Sequence, residues 1–289
     1  MKCARLGKRL GTLALALLAG GGLPAWGKSG WDELNMPRGV TNVSTRIYAL
    51  HMMAFWVCVG IAAVVFGVMI WSLIFHRKSR GAVPDVSLTH STKVEIVWTI
   101  VPVLILVSMA IPAARLLVRI NNNTDSQLSI RVTGFQWGWR YQYVGSNVSV
   151  ISKLSESSTA ASMMHSGISA TSVPHYLLSV DHPIVVPVGE KIRLLITSID
   201  VIHSWWVPDL GVKRDAIPGF INQASFTIAP NKTGTYRGQC TELCGRGHAY
   251  MPIVVRAVSP AAFQAWLKQQ SALDKEAAAG APATGVTSS

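Results

Sequence analysis

The chain has 289 residues, 49% of them hydrophobic and 14% charged, and a formal net charge of +12 at pH 7. That length accommodates a membrane hairpin plus one domain large enough to bury its own core. Much of the excess positive charge lies near apolar segments, where anionic headgroups attract cations. Nucleic acid is therefore a poor partner, and no nucleotide loop or Ser/His/Asp signature stands out.

Residues 1–27 read as a cleaved signal peptide. Lys2, Arg5, Lys8 and Arg9 form a basic start, Leu10–Leu23 is a short apolar stretch, and Ala25-Trp26-Gly27 is an acceptable cleavage site. Two spans follow. Ala49–Phe75 contains no Asp, Glu, Lys or Arg and as a helix reaches about 40 Å, more than a ~30 Å hydrocarbon core. Ile96–Ala114 is likewise uncharged, so the second span is placed at about residues 96–118. The loop between them carries His76, Arg77, Lys78, Arg80 and Lys93 against Asp85. The positive-inside rule puts this loop in the cytoplasm and everything after Arg119 on the exported side. Within the hairpin, Cys58 reads as a packing residue and Glu95 as a helix-start carboxylate favoured by the dipole.

The external domain, residues 121–258, opens with the alternating stretch Leu128-Ser-Ile130-Arg-Val132, as a half-buried strand does. An aromatic run, Phe135-Gln136-Trp137-Gly138-Trp139-Arg140-Tyr141-Gln-Tyr143, suits the core of a small barrel. Ser146–Ser172 reads as a surface loop, with Met163, Met164 and His165 as adventitious surface residues. Further strands are predicted at Tyr176–Val180, Ile184–Val188, Lys191–Thr197, Ser225–Ile228, Tyr236–Cys240 and Ile253–Val258. Many short strands with regular turn signals argue for a sandwich or barrel. From Ser259-Pro260 a helix is predicted, capped by serine and started by proline. A disordered tail of Ala, Gly, Pro, Thr and Ser follows Glu276.

Chemistry concentrates in Cys240-Thr-Glu242-Leu-Cys244-Gly-Arg-Gly-His248-Ala-Tyr-Met251. Thiols, imidazole and thioether together are soft ligands, and methionine points to copper rather than zinc. Taken alone, Cys-x3-Cys in an exported domain is more often part of a disulfide framework. His203, in Asp200-Val-Ile-His203-Ser-Trp205-Trp206-Val-Pro208, is the upstream histidine with a suggestive setting.

These two segments together resemble subunit II of the haem–copper cytochrome c oxidases. The resemblance implies a two-helix transmembrane hairpin carrying an all-β, cupredoxin-like Greek-key barrel with a dicopper centre, CuA. It implies that Cys240 and Cys244 bridge both coppers. His203 and Met251 would complete one copper, and His248 and the Glu242 carbonyl the other. The Glu242 side chain would help hold magnesium against subunit I, which Lys213, Arg214 and Asp215 would contact. Trp137 would receive electrons from a periplasmic donor such as cytochrome c. Glu95, in Glu-x-x-Trp-Thr, would mark the mouth of a proton path. The location implied is the bacterial inner membrane, with the copper domain and both mature termini periplasmic. Two alternatives keep part of the pattern. A copper-lacking quinol oxidase subunit would not need both thiols and both histidines. A membrane-anchored copper carrier or assembly factor would not need Trp137, Glu95 and the Asp215 segment together.

Overall fold

The computed structural model describes residues 35–83 and 90–280. The chain separates into two compact units, Met1–Pro37 and Arg38–Ser289, and only residues 35–37 of the first are described. The expected signal, residues 1–27, and the end of the expected tail, residues 281–289, lie outside the described residues.

Helices α1 (Asn42–Phe75) and α2 (Thr92–Ile120) are both long and apolar enough to cross a membrane. Each extends beyond its predicted span. The early start of α1 has a local cause. Thr41 Oγ1 accepts from the Ser44 N–H at 3.0 Å, and Ser44 Oγ accepts from the Thr41 N–H at 2.9 Å. This reciprocal cap satisfies two amide donors at the helix start. Thr41 Oγ1 also donates to the Leu210 carbonyl, and Val40 N–H donates to the Asp209 carbonyl. The helix start is thus fastened to the one-turn helix Pro208–Leu210. Gly211, at φ 67°, ends that turn, and a Cβ there would come within 2.9 Å of the Ser44 Cα. Cys58, expected as a packing residue, is instead exposed. The apolar side chains along both helices face outward, so their packing lies with lipid or another chain.

The β domain comprises β1 (Leu128–Phe135), β2 (Gly138–Tyr143), β3 (Ser149–Ser152), β4 (Ile184–Pro187), β5 (Lys191–Ser198), β6 (His203–Val207), β7 (Val212–Ala216), β8 (Asn222–Thr227), β9 (Gly234–Cys240) and β10 (Pro252–Val258). They form two five-stranded sheets, ordered β3-β2-β1-β5-β8 and β4-β10-β9-β6-β7. The β1–β5 and β10–β4 pairs are parallel. Alternation along β5 buries Ile192, Leu194 and Ile196 against the facing sheet. Two polar ties cross the sandwich. The buried Tyr143 hydroxyl donates to the Val185 carbonyl at 2.7 Å and accepts from the Val185 N–H at 3.0 Å. Trp205 Nε1 donates to the Tyr141 hydroxyl at 3.3 Å.

Four expectations are corrected. Ser146–Ser172 is not a loop throughout: it contains β3 and the helix α3 (Glu156–Ser162), whose Ser158 is fully buried. Its serines hid the short alternation that buries Val150 and Ser152. Tyr176–Val180 is not a strand, because positive φ values at His175 and Leu177 break the extended run. Val180 makes a single bridge, to Leu154. Strands β6 and β7 occupy segments that had suggested ligands and contacts rather than strands. Finally, α4 (Pro260–Gly280) continues past Glu276, where the disordered tail was expected to begin. Its Phe263 is buried and packs with Trp266 against Tyr143.

Candidate metal centre

Strands β6, β9 and β10 converge at one end of the second sheet. His203 opens β6, Cys240 closes β9, and Met251 directly precedes β10. Trp205 of β6 pairs with Cys240, and the Cys240 N–H donates to the Met251 carbonyl at 3.0 Å. The loop bearing the other donors is therefore pinched shut at its base. Within it, His248 and Tyr250 donate backbone N–H groups to the Gly245 and Gly247 carbonyls.

This brings the donors together. Ligand atoms of His203, Cys240 and Cys244 all lie within 4.8 Å of one another. The two sulfurs are 3.9 Å apart, far beyond the ~2.05 Å of a disulfide, so the local-disulfide reading does not describe this pair. Cys244 Sγ lies 3.5 Å from His248 Nδ1, and Cys240 Sγ lies 3.3 Å from the Glu242 carbonyl oxygen. Met251 and both cysteines are buried, while the Glu242 residue is exposed.

The electrostatics of the pair are asymmetric. Burial would raise the Cys240 thiol, but the adjacent His203 ring and the backbone of Ser204 on β6 and of Glu242 in the loop bring it down to about 7. Burial pushes the Cys244 thiol up to about 12, and a negative Cys240 beside it adds to the rise. Two adjacent thiolates therefore need positive charge between them, which is what a metal supplies.

Asp200 is the residue whose part here the sequence concealed. Its carboxylate accepts from Gln136 N–H at 2.6 Å and Val201 N–H at 2.7 Å, and lies 2.9 Å from His203 Nε2. A carboxylate that accepts at Nε2 leaves the proton there, so Nδ1 carries the free lone pair. That Nδ1 is sealed from solvent without a hydrogen-bond partner. An orphaned, correctly tautomerised imidazole beside two thiols fits a soft metal ion. Burial would raise the Asp200 carboxyl, but its hydrogen bonds to His203, Gln136, Val201 and Ser198 outweigh this and hold it low. The legible signal was the Ser-x-Asp turn three residues before the histidine. Gly134 was equally hidden: a Cβ there would meet His203 Cδ2 at 2.8 Å.

Trp137 lies over the loop, half-buried. Its Nε1 donates to the Cys244 carbonyl at 3.1 Å, and Gln136 Nε2 donates to the same oxygen at 2.8 Å. A Cβ on Gly247 would overlap the indole, so glycine is what lets the ring lie flat on the loop. Gly138 has a steric reason of its own, since its Cβ would stand 2.9 Å from the Ser152 carbonyl.

The other predicted residues lie apart. Asp215 and Ser204 face each other across the β6–β7 pair, and Ser204 Oγ donates to the Asp215 carboxylate at 2.7 Å. Arg214 donates to the Asn121 side chain at the foot of α2, and Lys213 is exposed. Glu95 sits exposed in the first turn of α2. Met163, Met164 and His165 are exposed and outside the donor cluster.

Two family descriptions match: "Cytochrome C oxidase subunit II, periplasmic domain" over residues 128–258, and its "transmembrane domain" over residues 29–116. The chain is 37% identical to cytochrome c oxidase subunit 2 of Arabidopsis thaliana, covering 82% of this chain and 89% of that one. It is 35% identical to the subunit 2 of Cereibacter sphaeroides, covering 91% and 87% respectively. Among solved structures, the periplasmic domain of subunit II of the Bradyrhizobium japonicum oxidase is 37% identical. That likeness covers 52% of this chain and 96% of that one, with a TM-score of 0.43.

Proposed function

The chain belongs to the cytochrome c oxidase subunit II family, and on that premise we propose that it is the electron-accepting subunit of a bacterial terminal oxidase. In this reading the chain is the CuA-bearing part of an oxidoreductase whose oxygen chemistry belongs to the haem-bearing subunit I. It sits in the inner membrane, with residues 121–258 and both mature termini on the periplasmic side.

The donor cluster carries this reading: two reduced sulfurs 3.9 Å apart, beside an orphaned imidazole nitrogen. Cys240 and Cys244 would bridge two coppers. His203 and Met251 would complete one, and His248 and the Glu242 carbonyl the other. Copper held by these residues would supply one-electron redox chemistry with little movement of its ligands. The protein supplies the rest. His203 is held by Asp200 and Gly134, and Cys240 by the β6–β9 ladder. Both sulfurs are buried, as is Met251. Donors already fixed on strands have little to reorganise when charge changes.

Trp137 would receive the incoming electron, being the half-exposed ring hydrogen-bonded to the backbone of Cys244. Lys213, Arg214 and Asp215 would meet subunit I, with the Glu242 side chain helping to hold magnesium there. Glu95 would stand at the mouth of a proton path on the cytoplasmic side. Periplasmic cytochrome c, or a similar carrier, is the donor class. The quinol-oxidase and copper-carrier alternatives are not favoured, because both thiols and both histidines are present with Trp137 over them.

Electron paramagnetic resonance of the intact chain, purified in detergent and loaded with copper, tests the assignment. A mixed-valence signal shared by two coppers is expected. A single-copper signal, or no copper retention, would exclude it.

A further inference from the structure

Where α1 begins and α2 ends, Arg46, Arg115 and Arg119 line one groove of about 380 Å³ with the apolar side chains of Leu50, Pro112 and Leu116. A neighbouring groove of about 440 Å³ shares Arg46 and Arg119 and reaches Lys191 on β5. Nothing near these arginines in sequence neutralises them. Residues 34–84 and 96–124 contain no Asp or Glu. Among the described residues, none of the three forms an ion pair.

Their placement is not explained by the helix ends alone. Arg119 suits the negative C-terminal end of α2, but Arg115 lies more than a turn before it and Arg46 stands near the positive N-terminal end of α1. There it faces two further like charges across one groove. Its Nε donates to Asn42 Oδ1 at 3.1 Å, and no partner for its terminal nitrogens is found among the described residues. An anion would relieve all three, and guanidinium forks match phosphate oxygens two at a time.

A membrane setting decides which anion. The arginines stand at the polar end of two membrane-spanning helices, where headgroups lie. Nearer the middle of the same helices, Trp56, Val57, Ile61, Val64, Val101 and Ile105 line an apolar groove of about 510 Å³. We propose that the arginine groove binds the headgroup of an anionic phospholipid, with phosphate on Arg46 and Arg119 and acyl chains along the hairpin. The lipid would fasten the end of the hairpin beside Lys191 of the β domain.

Native mass spectrometry of the intact chain in neutral detergent tests this. The chain is titrated with phosphatidylglycerol, with phosphatidylcholine of the same acyl chains, and with inorganic phosphate. Retention of phosphatidylglycerol over phosphatidylcholine by roughly tenfold or more is expected, from several cations acting on one headgroup. R46Q combined with R119Q should abolish that preference while circular dichroism and copper loading stay unchanged. Equal retention of the two lipids, phosphate competing as strongly as phosphatidylglycerol, or an unaltered preference in the variant would each overturn the proposal. In the assembled oxidase, one phosphatidylglycerol fewer should co-purify with the variant. An equal count would mean that a neighbouring subunit, not lipid, covers the groove, and would also overturn it.

Discussion

The indole Nε1 of Trp137 donates to the carbonyl oxygen of Cys244 at 3.1 Å, and the ring lies against Gly247. A half-exposed aromatic system is thereby joined by one hydrogen bond to the backbone of a thiol donor. Trp137→Phe removes the hydrogen bond and leaves a smaller aromatic ring in its place. Electron input from the donor should fall by roughly an order of magnitude or more, as misplaced reacting groups generally cost. The copper spectrum should be unchanged. Stopped-flow reduction of the oxidase separates the two readouts, and an unaltered rate would remove Trp137 from the path.

Replacing one sulfur tests the bridge. Cys244→Ser should abolish the dinuclear spectrum while leaving the strand signal in circular dichroism, because most of the core cluster lies away from the loop. Met251→Leu should retain two coppers and shift the potential, since a weak thioether tunes more than it holds. A normal two-copper spectrum in the serine variant would show that the bridging assignment is wrong.

Asp200 is expected to act through His203. In Asp200→Asn the single remaining acceptor oxygen cannot serve Gln136, Val201, Ser198 and His203 together. The imidazole then loses the partner that sets its tautomer. Copper affinity should drop by roughly 10–100-fold, the usual effect of losing such a supporting partner. Copper dissociation against a chelator measures it. Unchanged affinity would leave Asp200 as a turn residue only.

Glu95 lies in the first turn of α2, where Thr99 Oγ1 donates to its carbonyl at 2.8 Å. Its side chain is exposed there, open to a partner chain. Glu95→Gln should slow steady-state turnover of the assembled oxidase and leave electron transfer into the copper site intact. Full turnover in the variant would reduce Glu95 to a carboxylate that favours the helix start.

The surface beside Trp137 bears on the donor. A groove of about 530 Å³ runs along the indole between Lys153 and Arg246. Neither cation is in an ion pair among the described residues. The carboxylates nearby are engaged by backbone amides, Asp200 by Gln136 and Val201 and Asp181 by Lys153 and His182. Residues 121–289 hold thirteen Lys and Arg against ten Asp and Glu. Electrostatic steering of a strongly basic cytochrome c should therefore be weak, and a neutral or acidic donor favoured. The rate with a basic cytochrome c should stay flat or rise with added salt. A steep fall would reveal an effective acidic patch.

Ligand chemistry and membrane spans were legible because both are carried by residue type and short spacing. Cysteine, histidine and methionine in one loop point to a soft metal without a fold, and an uncharged apolar stretch points to a membrane span. Strand and helix limits were partly legible. β5 shows clean alternation, whereas β3 is hidden among serines and Tyr176–Val180 imitates a strand that positive φ values break. What only the tertiary structure decided are relations between distant segments. Gly134 clears space for a ring beyond it in sequence, Asp200 and Gln136 meet across strands, and Thr41 ties the first helix to Leu210. The arginines of two antiparallel helices share one groove for the same reason. Such contacts depend on which strands pair and which helix ends meet, and no local propensity encodes that pairing.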